Sequence, residues 1–315
     1  MDLTKLKLFI TVSALAISLV YVPVQNRGAS AQSEPPVVKV NVIITDRAGH
    51  LVDVVKKEDL QLFDDGNPET ISYFSHEAPV TYGLVIDGSG SLITQFLDIL
   101  DTAKRVVATN QTNDETFIIK FVASDNVRTI QELTADKDVL TRALSSLKVE
   151  MGQTALIDGL YLAGQYAIEH RNPDGNHRMA LVLISDGEDR ASYYTESDLF
   201  KLLRKTDLPV FVIGLMGKLD NQGGFVRKSP RQTAVDFLTK LAKETGGRAF
   251  LLKSPKELSD AIDQLTQSVH SQYVIGYRPT NSPGKVSRKV EVRLVASPEH
   301  EKWIVINRPV IGLKN

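Results

Sequence analysis

Two rhythms of apolar and polar positions divide the chain. Residues 38–45 alternate, with Val38, Val40, Val42 and Ile44 on one face and Lys39, Asn41 and Thr45 on the other, which predicts a half-buried strand. A turn at Asp46 to His50 follows, and Leu60 to Phe74 reads as strand, Asp-Asp-Gly-Asn-Pro turn, strand. From Thr81 the pattern changes to apolar runs: Tyr82–Ile86, Thr116–Val122, Met179–Ile184, Pro209–Gly214 and Arg248–Leu252. Most are too continuously apolar for a strand with one wet face. Between them apolar residues recur at helical spacing, as in Ile93, Phe96, Leu97, Leu100, Ala103 and Val107, or Leu258, Ala261, Ile262, Leu265 and Val269. Gly246 and Gly247 supply a helix stop after Lys243. Such alternation of strand and helix predicts an α/β fold, doubly wound around a mostly parallel sheet with helices on both faces. The tail returns to alternation at Gln272–Pro279 and at Val290, Val292 and Leu294. We therefore expect the two β-rich flanks to pair into a small β domain into which the α/β domain is inserted.

Composition narrows the class. With 315 residues, 42% hydrophobic and 24% charged, the chain can bury a sizeable core, and its formal net charge of −1 gives no footprint for nucleic acid. The first 31 residues stand apart: Lys5 and Lys7 precede an apolar, uncharged stretch from Leu8 to Val24, and Ala29-Ser30-Ala31 has the small-x-small form of a signal-peptidase site. This predicts an extracytoplasmic protein, periplasmic or secreted, cleaved after Ala31. The alternative is a membrane anchor formed by residues 8–24, the only route by which a membrane enters the picture. The remainder holds 34 basic and 37 acidic groups, and the absence of cysteine excludes disulfides and thiolate metal sites. The expected organisation is a signal peptide at 1–31, a β-rich flank at 32–79, an α/β domain at 80–271 and a second β-rich flank at 272–315 that pairs with 37–76.

The candidate chemistry lies in three loops. In a doubly wound sheet ligands bind beyond the carboxyl ends of the strands. Asp87, Ser89 and Ser91, in the segment Asp-Gly-Ser-Gly-Ser, occupy such a loop; Ser185, Asp186, Gly187, Glu188 and Asp189 follow another strand; Thr154 stands at the start of a helix. Phosphate loops fail on spacing: the Rossmann pattern needs glycine where Ile93 stands, and the Gly-Lys pairs at Lys218 and Lys285 precede Leu219 and Val286. The G-x-S-x-G elbow of serine hydrolases is missing, and no histidine falls in the three loops. Hydroxyls with one or two carboxylates form an all-oxygen set suited to a hard divalent cation. So few negative charges leave the ion an open position for a carboxylate from elsewhere. Simple turn and helix-cap roles are the plainer alternatives for Asp87, Ser89, Ser91, Thr154 and Asp186, and Glu188 and Asp189 read as solvated loop charges.

Asp87-x-Ser89-x-Ser91, then Thr154, then Asp186, in that order and spacing, resembles the metal-ion-dependent adhesion site of the von Willebrand factor type A domain. The resemblance covers residues 80–270. It implies a six-stranded sheet with one antiparallel edge, direct or near-direct coordination by Ser89, Ser91 and Thr154, and contacts of Asp87 and Asp186 through water or the serine hydroxyls. It further implies a Mg²⁺, Mn²⁺ or Ca²⁺ cofactor, a protein partner supplying Asp or Glu, and a binding module in place of an enzyme. The flanks resemble, more loosely, exported bacterial proteins in which such a domain lies between β segments. Two other readings stay open: a metal-dependent hydrolase of phosphoesters, and a structural interaction domain with an empty metal site. The basic loop Gly214–Gln232, with Lys218, Arg227, Lys228 and Arg231, and the loop Asp189–Glu196, with Tyr193 and Tyr194, are expected on the same face.

Overall fold

A computed structural model describes residues 37–312, apart from 48–50, 53, 77–78, 172–176, 207, 220–227, 281–286 and 308–309. The predicted leader and its cleavage site, together with Arg227, lie outside the described residues. The first flank supplies β1 (Val38–Asp46), β2 (Leu60–Asp64), β3 (Asn67–Glu69) and β4 (Ile71–Ser75). The central part runs β5 (Val80–Asp87), α1 (Phe96–Ala108), β6 (Glu115–Ala123), β7 (Asn126–Thr134), α2 (Lys137–Ser145) and α3 (Leu156–Glu169). It continues with β8 (Arg178–Ser185), α4 (Glu196–Thr206), β9 (Val210–Leu215), α5 (Pro230–Thr245), β10 (Ala249–Leu252) and α6 (Leu258–His270). The second flank holds β11 (Tyr273–Tyr277), β12 (Ser287–Leu294), β13 (Trp303–Asn307) and β14 (Val310–Gly312).

The central sheet has six strands in the order β10-β9-β8-β5-β6-β7, parallel except for β7, which pairs antiparallel with β6. All eight residues of β5 and of β8 are buried, because helices cover both faces. One apolar cluster joins α1, α2 and α6 to the sheet, and a second joins α3, α4 and α5 to the opposite face. The chain leaves β5 towards β6 on one side and returns to β8 on the other, so the crevice between the carboxyl ends of β5 and β8 is the switch point of the sheet.

The flanks pair with each other in two four-stranded sheets, β13-β1-β11-β4 and β14-β12-β2-β3. Val40 faces Ile275 across β1 and β11, and Leu62 faces Val292 across β2 and β12. A third apolar cluster, with Val42, Leu62, Tyr273 and Val292, fills the space between these strands.

Local chemistry sets the ends of the helices. Ser229 accepts a hydrogen bond from Gln232 N at the start of α5, Pro230 takes its first position, and Gly246 at φ +79° ends it in the left-handed conformation. One expectation from periodicity fails at α1. The helix begins at Phe96, after a 3-10 turn at Gly90–Leu92, and Ile93 and Leu97 are 61% and 81% exposed while Phe96, Ile99, Ala103 and Val107 are buried.

Candidate functional site

Asp87 is the last residue of β5 and is fully buried. Its Oδ1 accepts a hydrogen bond from Ser89 N at 3.0 Å, and its Oδ2 accepts one from Ser185 Oγ at 2.8 Å across the β5/β8 crevice. Gly187 N donates to the same Ser185 hydroxyl at 3.0 Å, which fixes the loop after β8. Asp186 is 3% exposed and accepts from Glu188 N through Oδ1 at 3.0 Å, while Gly187 takes φ +83°. The expected Asp-Gly turn is therefore real, and it coexists with the placement of Asp186 at the crevice.

Thr154 does not cap α3. The N-cap of α3 is Ala155, with no side-chain cap, and the buried Thr154 hydroxyl donates instead to Ser89 Oγ at 3.1 Å. Capping of α3 comes from the loop after β8: Asp189 Oδ1 accepts from Ile157 N at 3.1 Å and Ser192 Oγ accepts from Asp158 N at 3.2 Å. Arg190 N and Ala191 N both donate to Thr154 O. Asp189 is exposed, as expected of a loop charge, and has this capping role as well, while Glu188 pairs with Arg190 at 2.6 Å. The backbone of Ser91 lies in the 3-10 turn; its side chain lies outside the described residues.

The three loops are also bound to one another by backbone. Ser89 bridges to Glu150, and Glu150 N donates to Gly88 O at 3.0 Å. Below them Lys120, 3% exposed on β6, donates to Lys148 O at 2.6 Å and to Glu150, which also accepts from Asn126 and Arg128. Those donors, the hydrogen bond from Lys120 first, hold the Glu150 carboxyl down at about 2. Sequence reasoning missed this support. Its signal was the single lysine inside the apolar run Thr116–Val122. Ser185 was placed in the right loop but given no role.

Electrostatically burial dominates the crevice, and the charge of Arg190 beside Asp186 offsets it only in part. Burial, then the charge of Asp186, pushes the Asp87 carboxyl up to about 7, and burial pushes Asp186 up to about 6. The hydrogen bonds to these two carboxylates include those from Ser89 N, Ser185 Oγ and Glu188 N, and the Ser89 side chain adds one to Asp87; all are neutral. No group of three or more His, Cys, Asp or Glu side chains is placed to hold a metal among the described residues. What assembles is two carboxylates with the hydroxyls of Ser89 and Thr154. An all-oxygen set with uncompensated buried carboxylates fits a hard divalent cation in donor chemistry, and with two carboxylates it fits only a weakly held one.

Residues 83–188 match the family model of the von Willebrand factor type A domain. Over that stretch the chain resembles the von Willebrand factor type A family. Its fold is similar to that of BatB from Bacteroides thetaiotaomicron, at 18% identity over 61% of this chain and 100% of that one, with a TM-score of 0.46. It is also similar to a von Willebrand factor type A protein from Catenulispora acidiphila, at 13% identity over 88% of this chain and 74% of that one, with a TM-score of 0.48. A third likeness is to proximal thread matrix protein 1 from the mussel byssus, described with a zinc-occupied MIDAS motif, at 17% identity over 65% and 49% of the two chains and a TM-score of 0.47. No curated protein matches the chain. Among the described residues no helix is long and apolar enough to cross a membrane.

Proposed function

We propose that the chain is a protein-interaction module whose partner docks on the carboxyl end of the central sheet, outside the cytoplasm. The observation that carries this reading is the Thr154–Ser89 hydroxyl contact. Asp189 caps the start of α3, and the Thr154 hydroxyl donates to Ser89 Oγ instead. Among the described residues a helix start is thereby spent on assembling a polar centre.

The donor set favours a module that carries little or no metal when alone. Two carboxylates, both pushed up by burial, give a divalent cation weak purchase. A carboxylate brought by the partner adds the missing charge, so ion and partner bind together. In that complex Ser89 and Thr154, with Ser91 from the same turn, would hold Mg²⁺ or Mn²⁺, while Asp87 and Asp186 orient those hydroxyls. The ion would supply a bridge between two acidic surfaces that otherwise repel.

The test is calorimetric titration of Mg²⁺ and Mn²⁺ into the purified protein and its Asp87→Ala variant, beside affinity capture of partners with and without chelator. Weak cation binding lost in the variant, with capture that chelator abolishes, is the expected result. Capture equal in both conditions, with no cation binding, leaves an interaction domain whose metal site is empty throughout.

A further inference from the structure

Two connections join the α/β domain to the flanking sheets, and both run past one buried polar cluster at the starts of β5, β6 and β8. On the incoming connection, between β4 and β5, Val80 N donates to Asp114 Oδ1 at 2.8 Å and Pro79 O accepts from Arg178 N at 2.9 Å. On the outgoing connection, between α6 and β11, the Arg178 guanidinium donates to His270 O at 2.7 Å and to Gln272 O at 2.8 Å. There the His270 ring also meets Asp114 Oδ2 at 2.7 Å. Asp114 and Arg178 therefore each touch both connections. Both are buried, while the His270 side chain keeps 10% of its surface open to solvent and to protons.

Both ring nitrogens of His270 face acceptors. Nε2 faces Asp114 Oδ2, and Nδ1 lies 2.8 Å from Thr266 O, one turn earlier in α6. Against the upward pull of burial, hydrogen bonds from His270, Val80 N and Gln111 N hold the Asp114 carboxyl below its ordinary value, so Oδ2 accepts and does not donate. Two N–H donors, those of the imidazolium, are needed to make both contacts; the neutral ring has one. The carboxylate, as the stronger acceptor, keeps that one, and a lone pair on Nδ1 then meets the lone pairs of Thr266 O. Because Nδ1 and Thr266 O share the last turn of α6, relief comes by turning the ring, which draws Nε2 off Asp114.

Two charged groups face His270, Asp114 from the turn before β6 and Arg178 from β8. The neighbouring groups of α1 and α6 are the hydroxyls of Thr109 and Thr266, bonded to each other at 3.1 Å, and β5 contributes Tyr82, whose hydroxyl donates to Asn110 at 2.6 Å. The carboxyl end of α6 adds a dipole that favours a cation. Burial pushes Arg178 down to about 10, and the charge of Asp114 opposes that shift. Arg178 therefore still balances Asp114 once the imidazolium is gone, so what ends is the tie on α6 and not the core around it. We propose that His270 is a proton-operated clamp on the joint between the α/β domain and the flanking sheets, closed when the ring carries both protons and released when one is lost.

The experiment follows hydrogen–deuterium exchange of the wild type, His270→Gln and His177→Gln at pH 5.5 and pH 9. Rates are corrected for the intrinsic effect of pH and referred to the centres of β5 and β8. His177 is the competing group, since its Nδ1 lies 3.0 Å from Thr81 Oγ1 and 3.7 Å from Glu115. In the wild type, protection of residues 79–81 and 268–274 is expected to fall at least tenfold from pH 5.5 to pH 9. His270→Gln should show the lower protection at both pH values, within twofold, and His177→Gln should behave as the wild type. Imidazole nitrogen shifts of the unmodified protein, read by NMR, should show two protonated nitrogens on His270 at pH 5.5 and one at pH 9; this arm and the wild-type exchange stand even where a variant does not fold. Wild-type protection that stays within twofold, or a His270 ring with the same number of protons at both pH values, overturns the proposal. So does a fall that persists in His270→Gln or disappears in His177→Gln.

Discussion

The pair of buried carboxylates makes a prediction about pH. Raising Asp87 from 3.8 to about 7 penalises the ionised folded state by about 4 kcal/mol, at about 1.4 kcal/mol per tenfold change in proton affinity. The sign follows from proton counting: between pH 4 and 7 the unfolded chain has released this proton and the folded chain still holds it, so stability falls as pH rises through that window and levels off above it. Asp87→Asn removes the titration. It keeps the oxygen that accepts Ser89 N but places an amide opposite Ser185 Oγ, which already accepts from Gly187 N, so the serine hydrogen loses its acceptor at about 1 to 2 kcal/mol. In the absence of divalent cations the variant should therefore be level with wild type to within about 1 kcal/mol at pH 5, where the wild type already bears about 1.6 kcal/mol of the penalty. At pH 8 it should be about 2 to 3 kcal/mol more stable. Urea unfolding followed by far-ultraviolet circular dichroism from pH 5 to 8 in chelator measures the difference curve. A difference that stays flat within 1 kcal/mol across that range would falsify the account of an uncompensated buried carboxylate.

Three further outcomes test the frame around the site. Gly88→Ala drives a β-carbon to 2.1 Å from Lys120 Cε, and because Lys120 is tied to Lys148 O and Glu150 it cannot swing clear; we expect a loss of about 2 to 3 kcal/mol in urea unfolding, and a neutral result would show that the lysine is free to move. Lys120→Met should let the Glu150 carboxyl rise from about 2 towards the ordinary range in an NMR titration, so that the stability it contributes is lost at higher pH as acid is added; an unmoved Glu150 would assign the shift to Asn126 and Arg128. In the flanking sheets Arg288→Met leaves Asp64 buried without its cation, at a cost of about 3 to 5 kcal/mol, and adding Asp64→Asn should recover part of the lost melting temperature; no recovery would place the cost in packing.

The apolar runs were enough to place the five parallel strands, because strands buried on both faces must be apolar throughout, and the flanks announced themselves by alternation. β7 was not visible by the same means. It is an edge strand with no buried residue, and register shifts against β6 break its alternation. Order and spacing picked out Asp87, Ser89, Thr154 and Asp186, and the structure gathers them where β5 and β8 part. Chain order alone contains no crevice, however. Only the crossover from β5 to β8 brings the Ser185 hydroxyl onto Asp87, and only the capping of α3 by Asp189 frees Thr154 to reach Ser89. Ile93 and Leu97 show the same division. Periodicity recorded that they are apolar at helical spacing, but exposure depends on where the helix begins and which face the sheet takes. The 3-10 turn that carries the serines delays α1 to Phe96 and leaves both side chains facing solvent.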